Sequence, residues 1–127
     1  MNSIEIVADR LSHPPVVYSH GVRAGDFIFV AGQVGIDYTT GTRADDFETQ
    51  ARQAFENLSI VLQAAGSSMQ WVVKMTVWLC DAANFDALNK LYHENFPVNP
   101  PARSTPVICL PVPGLHLSIE AVAAAGI

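Results

Sequence analysis

The sequence contains little cysteine, little lysine and few charged residues of either sign. Of its 127 residues, 2 are cysteines and 15% are charged, with 7 basic side chains against 12 acidic ones and a net charge of −5. Cys80 and Cys109 lack CxxC spacing, so they provide neither a disulfide framework nor a metal-binding motif. We therefore expect a cytoplasmic protein with reduced thiols.

Basic residues are too sparse for a nucleic-acid surface, and hydrophobic runs are too short for a membrane span. Lys74, Lys90 and the five arginines are scattered, so no basic stripe can follow a phosphate backbone. The longest apolar stretches fall below the roughly 18 to 20 residues that a transmembrane helix needs. The first residues also lack the basic start and apolar core of a signal peptide. These features argue against nucleic-acid and membrane partners.

Half of the residues are hydrophobic, which is enough to bury the core of a single domain over residues 1–127. Short runs rich in β-branched and aromatic residues predict strands at 4–7, 16–19 and 27–30, and residues 37–41 have the composition of a turn. Later runs predict a strand at 72–80 and two final strands at 104–110 and 115–124. In the 72–80 strand, alternation places Val73, Met75, Val77 and Leu79 on one face.

Two segments have the apolar spacing of amphipathic helices. The first covers residues 47–65, with Asp45 or Asp46 as a cap and Gly66 as a stop. The second covers residues 85–96, opens at Asp81 or Asn84 and ends before Pro97. The order of strands, helix, strand, helix and strands predicts an α+β fold, a mixed sheet with two helices on one face. Because the strands carry apolar residues on both sides, the uncovered face predicts a homo-oligomer.

The C-terminal third is almost free of charge, which draws attention to Arg103 and Glu120. From Asn95 onward these are the two fully charged side chains. A guanidinium presents a rigid fork of donors that matches a carboxylate, so Arg103 could hold a small organic acid. Alternatively, Arg103 and Glu120 neutralise each other in a core or interface, and composition alone slightly favours this interpretation.

Other common chemistries have no motif in this chain. The four histidines have no ligand spacing, and no GxSxG, phosphate-binding loop or GxGxxG fingerprint occurs. The sequence therefore predicts no metal site and gives no support for hydride or phosphoryl transfer.

A set of short motifs extends along nearly the whole chain. They are Tyr18-Ser19-His20-Gly21-Val22, Phe29 to Val34, Thr40-Gly41, Gln50, Ala54, Asn57-Leu58, Ala65-Gly66, Val72 to Leu79, Asn84-Phe85, Asn89, Tyr92, Pro101 to Thr105 and Ile119 to Ala123. In combination they resemble the Rid family, the reactive intermediate imine and enamine deaminases also known as the YjgF or L-PSP family. The Pro-Ala-Arg-Ser stretch together with the upstream Gly-Gln is the most specific part.

The resemblance implies a chorismate-mutase-like α+β fold that forms a homotrimer, with three sheets around a central barrel and a site between subunits. It implies that Arg103 binds the carboxylate of a 2-imino acid, that Tyr18 and Asn89 line the pocket, and that backbone groups near Gly32 and Thr105 contribute. Water would add to the C=N carbon, and ammonia would leave a 2-oxo acid. The family needs no cofactor.

The chain departs from the family pattern at two positions. Many of these deaminases have a Glu-Ile-Glu-like last strand whose first Glu handles the water; here Ser118 stands at that position and Glu120 matches the second Glu. Ala31 replaces a serine that often precedes Gly-Gln. The substrate could accordingly be 2-iminopropanoate from 2-aminoacrylate or a pathway enamine such as 2-aminomuconate. Other readings are a regulator that binds a carboxylate metabolite without turnover and, disfavoured by the acidic charge, a ribonuclease.

Overall fold

The computed structural model describes residues 3–8, 10–11 and 17–126. Its regular elements follow the order strands, helix, strand, helix, strands that the sequence predicts. They are β1 (Ser3–Ile6), β2 (Gly21–Ala24), β3 (Phe27–Val34), β4 (Ile36–Asp37), β5 (Thr42–Arg43), α1 (Phe47–Ala64), β6 (Val72–Leu79), α2 (Phe85–Asn95), β7 (Ala102–Ser104) and β8 (Leu117–Ala124), with short 3-10 turns at Met69–Trp71 and Ala82–Asn84.

Six of the strands form one mixed sheet in the order β1-β2-β3-β8-β6-β7. The β6–β7 pair is parallel, and the other pairs in this sheet are antiparallel. Strands β4 and β5 form a separate hairpin around the predicted turn at 37–41. Both helices pack on one side of the large sheet, so the predicted α+β class with a mixed sheet is confirmed.

Helix α1 begins and ends where the sequence indicates. The Asp46 carboxylate accepts hydrogen bonds from the Thr49 backbone N–H at 2.9 Å and the Thr49 hydroxyl at 2.8 Å, which satisfies donors left open at the first turn. Gly66 follows the helix with φ +76°, a conformation that glycine adopts without a Cβ penalty. The helix buries its apolar face against the sheet, with Ala51, Leu58 and Val61 inaccessible to solvent.

The predicted faces of β6 need one correction. Met75, Val77 and Leu79 are buried as predicted, but Val73 is 46% exposed and Val72 is buried in its place. A register shift between Val72 and Lys74 in the pairing with β8 explains this difference, because a bulge inserts one residue and reverses the alternation before it.

Three predicted strands differ from the structure. Of the strand predicted at 104–110, only Ser104 lies in a strand, at the end of β7, and beyond it an isolated bridge joins Leu79 to Val107. Prolines at 106, 111 and 113 explain this difference, because they cannot donate to a ladder. Residues 17–19 are irregular, and Val16 lies outside the described residues. The unpredicted β2 instead pairs with β1 and β3. The last predicted strand begins two residues late, at Leu117.

The sheet face opposite the helices, here called the open face, carries exposed aromatic residues. Phe27 is 45% exposed and Phe29 is 48% exposed. Polar side chains from β6, β7 and β8 lie among the apolar residues there, including Lys74, Ser104 and Glu120. Of the helices in the described part of the chain, none combines the length and apolarity that crossing a bilayer requires.

Candidate functional site

Arg103 lies on β7 at the edge of the sheet and faces α2. Its backbone is opposite Met75 in the parallel pairing with β6, so its side chain is on the same face as the buried Met75. The Arg103 Nη2 donates a hydrogen bond of 2.8 Å to Asn89 Oδ1. The guanidinium carbon also lies 4.6 Å from the centroid of the Tyr92 ring and 5.7 Å from that of Phe85. The arginine is therefore oriented by one hydrogen bond and two aromatic rings.

One face of α2 supplies all three contacts. Phe85, Asn89 and Tyr92 are spaced at i, i+4 and i+7, which places them in one row along the helix. Tyr92 is 8% exposed, and burial raises the pKa of its phenol above the usual 10.0 although Arg103 acts in the opposite direction. The phenol is thus neutral near pH 7, and Arg103 contacts an aromatic face rather than a phenolate.

Ser118 and Gly32 approach each other on the open face. Gly32 belongs to the part of β3 where the register with β8 shifts between Val30 and Gln33. A Cβ added at Gly32 would collide with the Ser118 hydroxyl, and Ser118 is itself buried. The bulge therefore brings the exposed Gly32 backbone beside a serine hydroxyl.

Tyr18 lies in the loop next to this bulge. The His20 carbonyl of that loop accepts a 2.9 Å hydrogen bond from the Ala31 N–H, and the buried His20 Nδ1 lies 3.3 Å from Gln33 Nε2. The half-exposed Tyr18 ring contacts His20 edge-on, with centroids 6.4 Å apart. Tyr18, Gly32 and Ser118 are therefore associated with the same bulge, and we call these three residues the Tyr18 group.

Glu120 faces the open side of β8 and does not pair with Arg103. Glu120 is opposite Thr76 in the β6–β8 pairing, whereas Arg103 is opposite the preceding residue, Met75, in the β6–β7 pairing. Successive residues of a strand point to opposite faces. Within the described residues of one subunit, Arg103 and Glu120 form no ion pair, so their mutual neutralisation within a single core is wrong, whereas neutralisation across a subunit interface stays a prediction. Glu120 lines a depression of about 290 Å³ on the open face, together with Phe29, Lys74, Thr76 and Val122.

The structure thus divides the residues predicted from the sequence into two sets. Arg103 and Asn89 are in contact, with Thr105 two residues further along; we call these three the Arg103 group. The Tyr18 group and Glu120 are associated with β3 and β8. Sequence reasoning missed the aromatic platform of Phe85 and Tyr92, although their helical spacing around Asn89 was a usable signal. Among the described residues, no cluster of histidine, cysteine and acidic side chains could hold a metal ion.

The protein belongs to the class of two-layer α+β folds with one uncovered sheet face. In this structure, a helix holds an arginine at the edge of that sheet. The Endoribonuclease L-PSP family model matches residues 10–125 of the chain. The chain is 37% identical over 119 residues to a RutC family protein of Pyrococcus horikoshii, covering 93% of this chain and 94% of that protein. It is 36% identical over 110 residues to the human 2-iminobutanoate/2-iminopropanoate deaminase, covering 86% and 80% of the two chains. The chain belongs to the Endoribonuclease L-PSP family, the Rid family predicted from its motifs.

Solved structures agree with this assignment. RidA from the Antarctic bacterium Psychrobacter superimposes with a TM-score of 0.90 at 33% identity, covering 95% of this chain and 98% of that one. Escherichia coli TdcF, solved with bound serine, superimposes with a TM-score of 0.87 at 31% identity over the same shares.

Proposed function

We propose that the protein is a cofactor-free hydrolytic deaminase of 2-imino and enamino carboxylic acids of the 2-iminopropanoate type. The Arg103 guanidinium is the observation that carries the proposal. Among the described residues its only hydrogen bond is the one to Asn89, so it retains N–H donors for a bidentate carboxylate contact. The name of the human relative, which specifies 2-imino acids as substrates, supports the same substrate class.

In the proposed reaction, Arg103 fixes the substrate carboxylate and so places the adjacent C=N carbon. A water oxygen adds to that carbon while the nitrogen gains a proton, which gives a carbinolamine. The carbinolamine hydroxyl then loses its proton as the C–N bond breaks. Ammonia and a 2-oxo acid leave, so imine plus water balances oxo acid plus ammonia with no redox step and no cofactor.

Ser118 and Glu120 are the proposed partners of the water. A serine hydroxyl donates and accepts hydrogen bonds but is no base near neutral pH, so Ser118 is assigned to holding the water. Glu120 lies two residues along the same face of β8 and is assigned to accepting the proton. General acid–base help of this kind is worth about 10²–10⁴-fold in rate.

The site is proposed to form between subunits of a homotrimer. Arg103 lies on the helix side of the sheet, whereas Ser118 and Glu120 lie on the open face, and a three-carbon substrate cannot contact both sides of one sheet. A second copy must therefore bring its Tyr18 group and Glu120 to the first copy's Arg103 group. Covering the open face in a central barrel would also bury the exposed Phe27 and Phe29.

Deaminase activity is tested with 2-iminopropanoate generated in situ from alanine by an amino-acid oxidase. Loss of imine that semicarbazide can trap is followed for the wild type, Arg103→Ala, Ser118→Ala and Glu120→Gln. We expect acceleration by the wild type, loss of activity in Arg103→Ala and reduced turnover in Glu120→Gln. Arg52→Ala is the matched control, because Arg52 is exposed on α1 and pairs with Glu48 and Glu94. Absence of acceleration by the wild type contradicts this activity on 2-iminopropanoate.

The trimer is tested by analytical ultracentrifugation of Phe29→Asp beside Val98→Asp. Phe29 lies on the open face, whereas Val98 is 74% exposed in the connection after α2. We expect Phe29→Asp to dissociate and to lose activity, because a carboxylate is costly to bury without a partner. The Val98 variant should remain associated. A wild type that sediments as a monomer contradicts the inter-subunit site.

The second candidate function is binding of a carboxylate metabolite without turnover, which the serine at position 118 favours. Thermal stabilisation by pyruvate without ammonia release from 2-iminopropanoate or 2-aminomuconate would select it. Ammonia release from 2-aminomuconate alone would instead identify a specialised enamine deaminase. Ribonuclease activity would require RNA affinity that falls steeply with salt, and the net charge of −5 opposes it.

A further inference from the structure

We propose that Tyr92 is a positioning residue for Arg103, acting through its ring face rather than its hydroxyl. The inference rests on the proposed role of Arg103 as the carboxylate-binding group. Arginine binds a carboxylate with two parallel hydrogen bonds only when the plane of its guanidinium is correctly oriented. The residue that sets this plane therefore controls substrate affinity without touching the substrate.

The geometry singles out the ring of Tyr92. The Arg103 guanidinium carbon is 4.6 Å from the Tyr92 centroid and 5.7 Å from that of Phe85. The nearer distance is that of a guanidinium lying against an aromatic face, which attracts the cation. Asn89 holds Nη2 at 2.8 Å from the same helix. Together the ring and the amide restrict both the position and the rotation of the guanidinium.

Tyr92 is itself held in place. Its ring contacts Phe96 with centroids 4.8 Å apart and Phe55 with centroids 6.3 Å apart, and it is almost fully buried. A ring packed in this way cannot follow the motions of an arginine side chain. It provides a rigid surface, so less rotamer entropy remains to be lost when the substrate binds.

The hydroxyl of Tyr92 plays no part in this contact. Its oxygen is buried and has no hydrogen-bond partner among the described residues. A buried polar group without a partner is unfavourable, so replacing the phenol by a phenyl ring should preserve the platform and raise the melting temperature. Tyr92→Phe and Tyr92→Leu therefore separate the ring from the hydroxyl.

The first measurement is the NMR spectrum of the arginine Nε–Hε groups in uniformly ¹⁵N-labelled protein, with Arg103 assigned by its absence in Arg103→Lys. The aromatic ring shifts these resonances, so we expect the Arg103 signal to remain near its wild-type position in Tyr92→Phe and to move towards the free-arginine value in Tyr92→Leu. Phe47→Leu is the matched control, since it removes another buried aromatic ring, and that ring contacts His116; neither Tyr92 nor Arg103 is among its ring contacts in the described residues.

The second measurement is affinity. We expect Tyr92→Leu to raise the KM for 2-iminopropanoate and the Kd for pyruvate about tenfold, the range of a lost cation–π contact at a desolvated site, with kcat changed less than twofold. In Tyr92→Phe, both the KM and the Kd should stay within about twofold of the wild-type values, because phenylalanine keeps the aromatic ring that contacts Arg103. Circular dichroism confirms that each variant is folded.

The outcomes distinguish this inference from the proposed function. If the wild type shows no deaminase activity, the position of the Arg103 resonance and the calorimetric Kd for pyruvate still decide whether Tyr92 positions Arg103. The inference is overturned by an unshifted Arg103 signal in Tyr92→Leu, by loss of pyruvate affinity in Tyr92→Phe, or by an equal loss in Phe47→Leu.

Discussion

The close approach of Gly32 to Ser118 predicts that Gly32→Ala destabilises the protein when residue 118 is serine and stabilises it when residue 118 is alanine. In the wild type, an alanine at position 32 would place its Cβ against the Ser118 hydroxyl, whereas the Ser118 Cβ would remain at an ordinary 3.7 Å. Among the described residues, no other atom lies within 4 Å of the added Cβ apart from its chain neighbours. The perturbation is therefore Gly32→Ala, made with and without Ser118→Ala.

The magnitude follows from the single colliding atom. Gly32 is exposed, but the colliding Ser118 side chain is buried. Overpacking against a buried side chain costs about 1–3 kcal/mol, and because the Ser118 side chain can rotate we expect about 1–2 kcal/mol for Gly32→Ala. With alanine at 118 the collision disappears. Gly32 is not among the glycines with positive φ, so in that background the alanine should stabilise the protein by about 0.4–1 kcal/mol through the unfolded state.

The assay is urea unfolding of the wild type, the two single variants and the double variant at one protein concentration, because association would make stability concentration-dependent. Gly25→Ala, alone and with Ser118→Ala, is the control. Gly25 has φ +60° and open space around it, so its cost is conformational and should be the same in both backgrounds. An equal cost of Gly32→Ala with serine and with alanine at 118 would refute the reasoning.

Two further predictions concern α1. The fully buried Gln50 side-chain amide forms hydrogen bonds with three backbone groups, two as donor and one as acceptor. Gln50→Leu should therefore destabilise the protein by about 2–4 kcal/mol in urea unfolding. The control is Gln63→Leu at an exposed position, and a loss of stability no larger than in the control would contradict the prediction. The pKa of Asp46 is lowered from 3.8 mainly by the hydrogen bond from the Thr49 backbone N–H. The charged Asp46 cap therefore stabilises the native state fully at pH values above the pKa of the unfolded chain. This contribution is lost as the pH falls through the lower pKa of the folded state. The difference in melting temperature between wild type and Asp46→Asn should thus be largest near neutral pH and shrink below about pH 4; a pH-independent difference would count against the cap.

The sequence by itself determined what depends on local chemistry. Asp46, Gly66 and Pro97 delimit the two helices because capping, a left-handed residue and a missing N–H act within a few positions of the chain. The element order then led to the α+β class, and the scattered motifs were sufficient to identify the family. The sequence also predicted Arg103 as a site residue through its Pro-Ala-Arg-Ser context and Asn89 through the family resemblance, and the structure places these two side chains in contact.

Only the tertiary structure decided which groups meet. The bulge before Lys74 exposed Val73, and the short β7 turned Arg103 towards Asn89 and away from Glu120. Alternation along a strand is a local property, but the face that an alternating strand presents to the core depends on its partners and on where the register shifts. The aromatic platform under Arg103 arose in the same way, because the row of residues on α2 contacts the arginine only when the distant strand β7 is packed beside it.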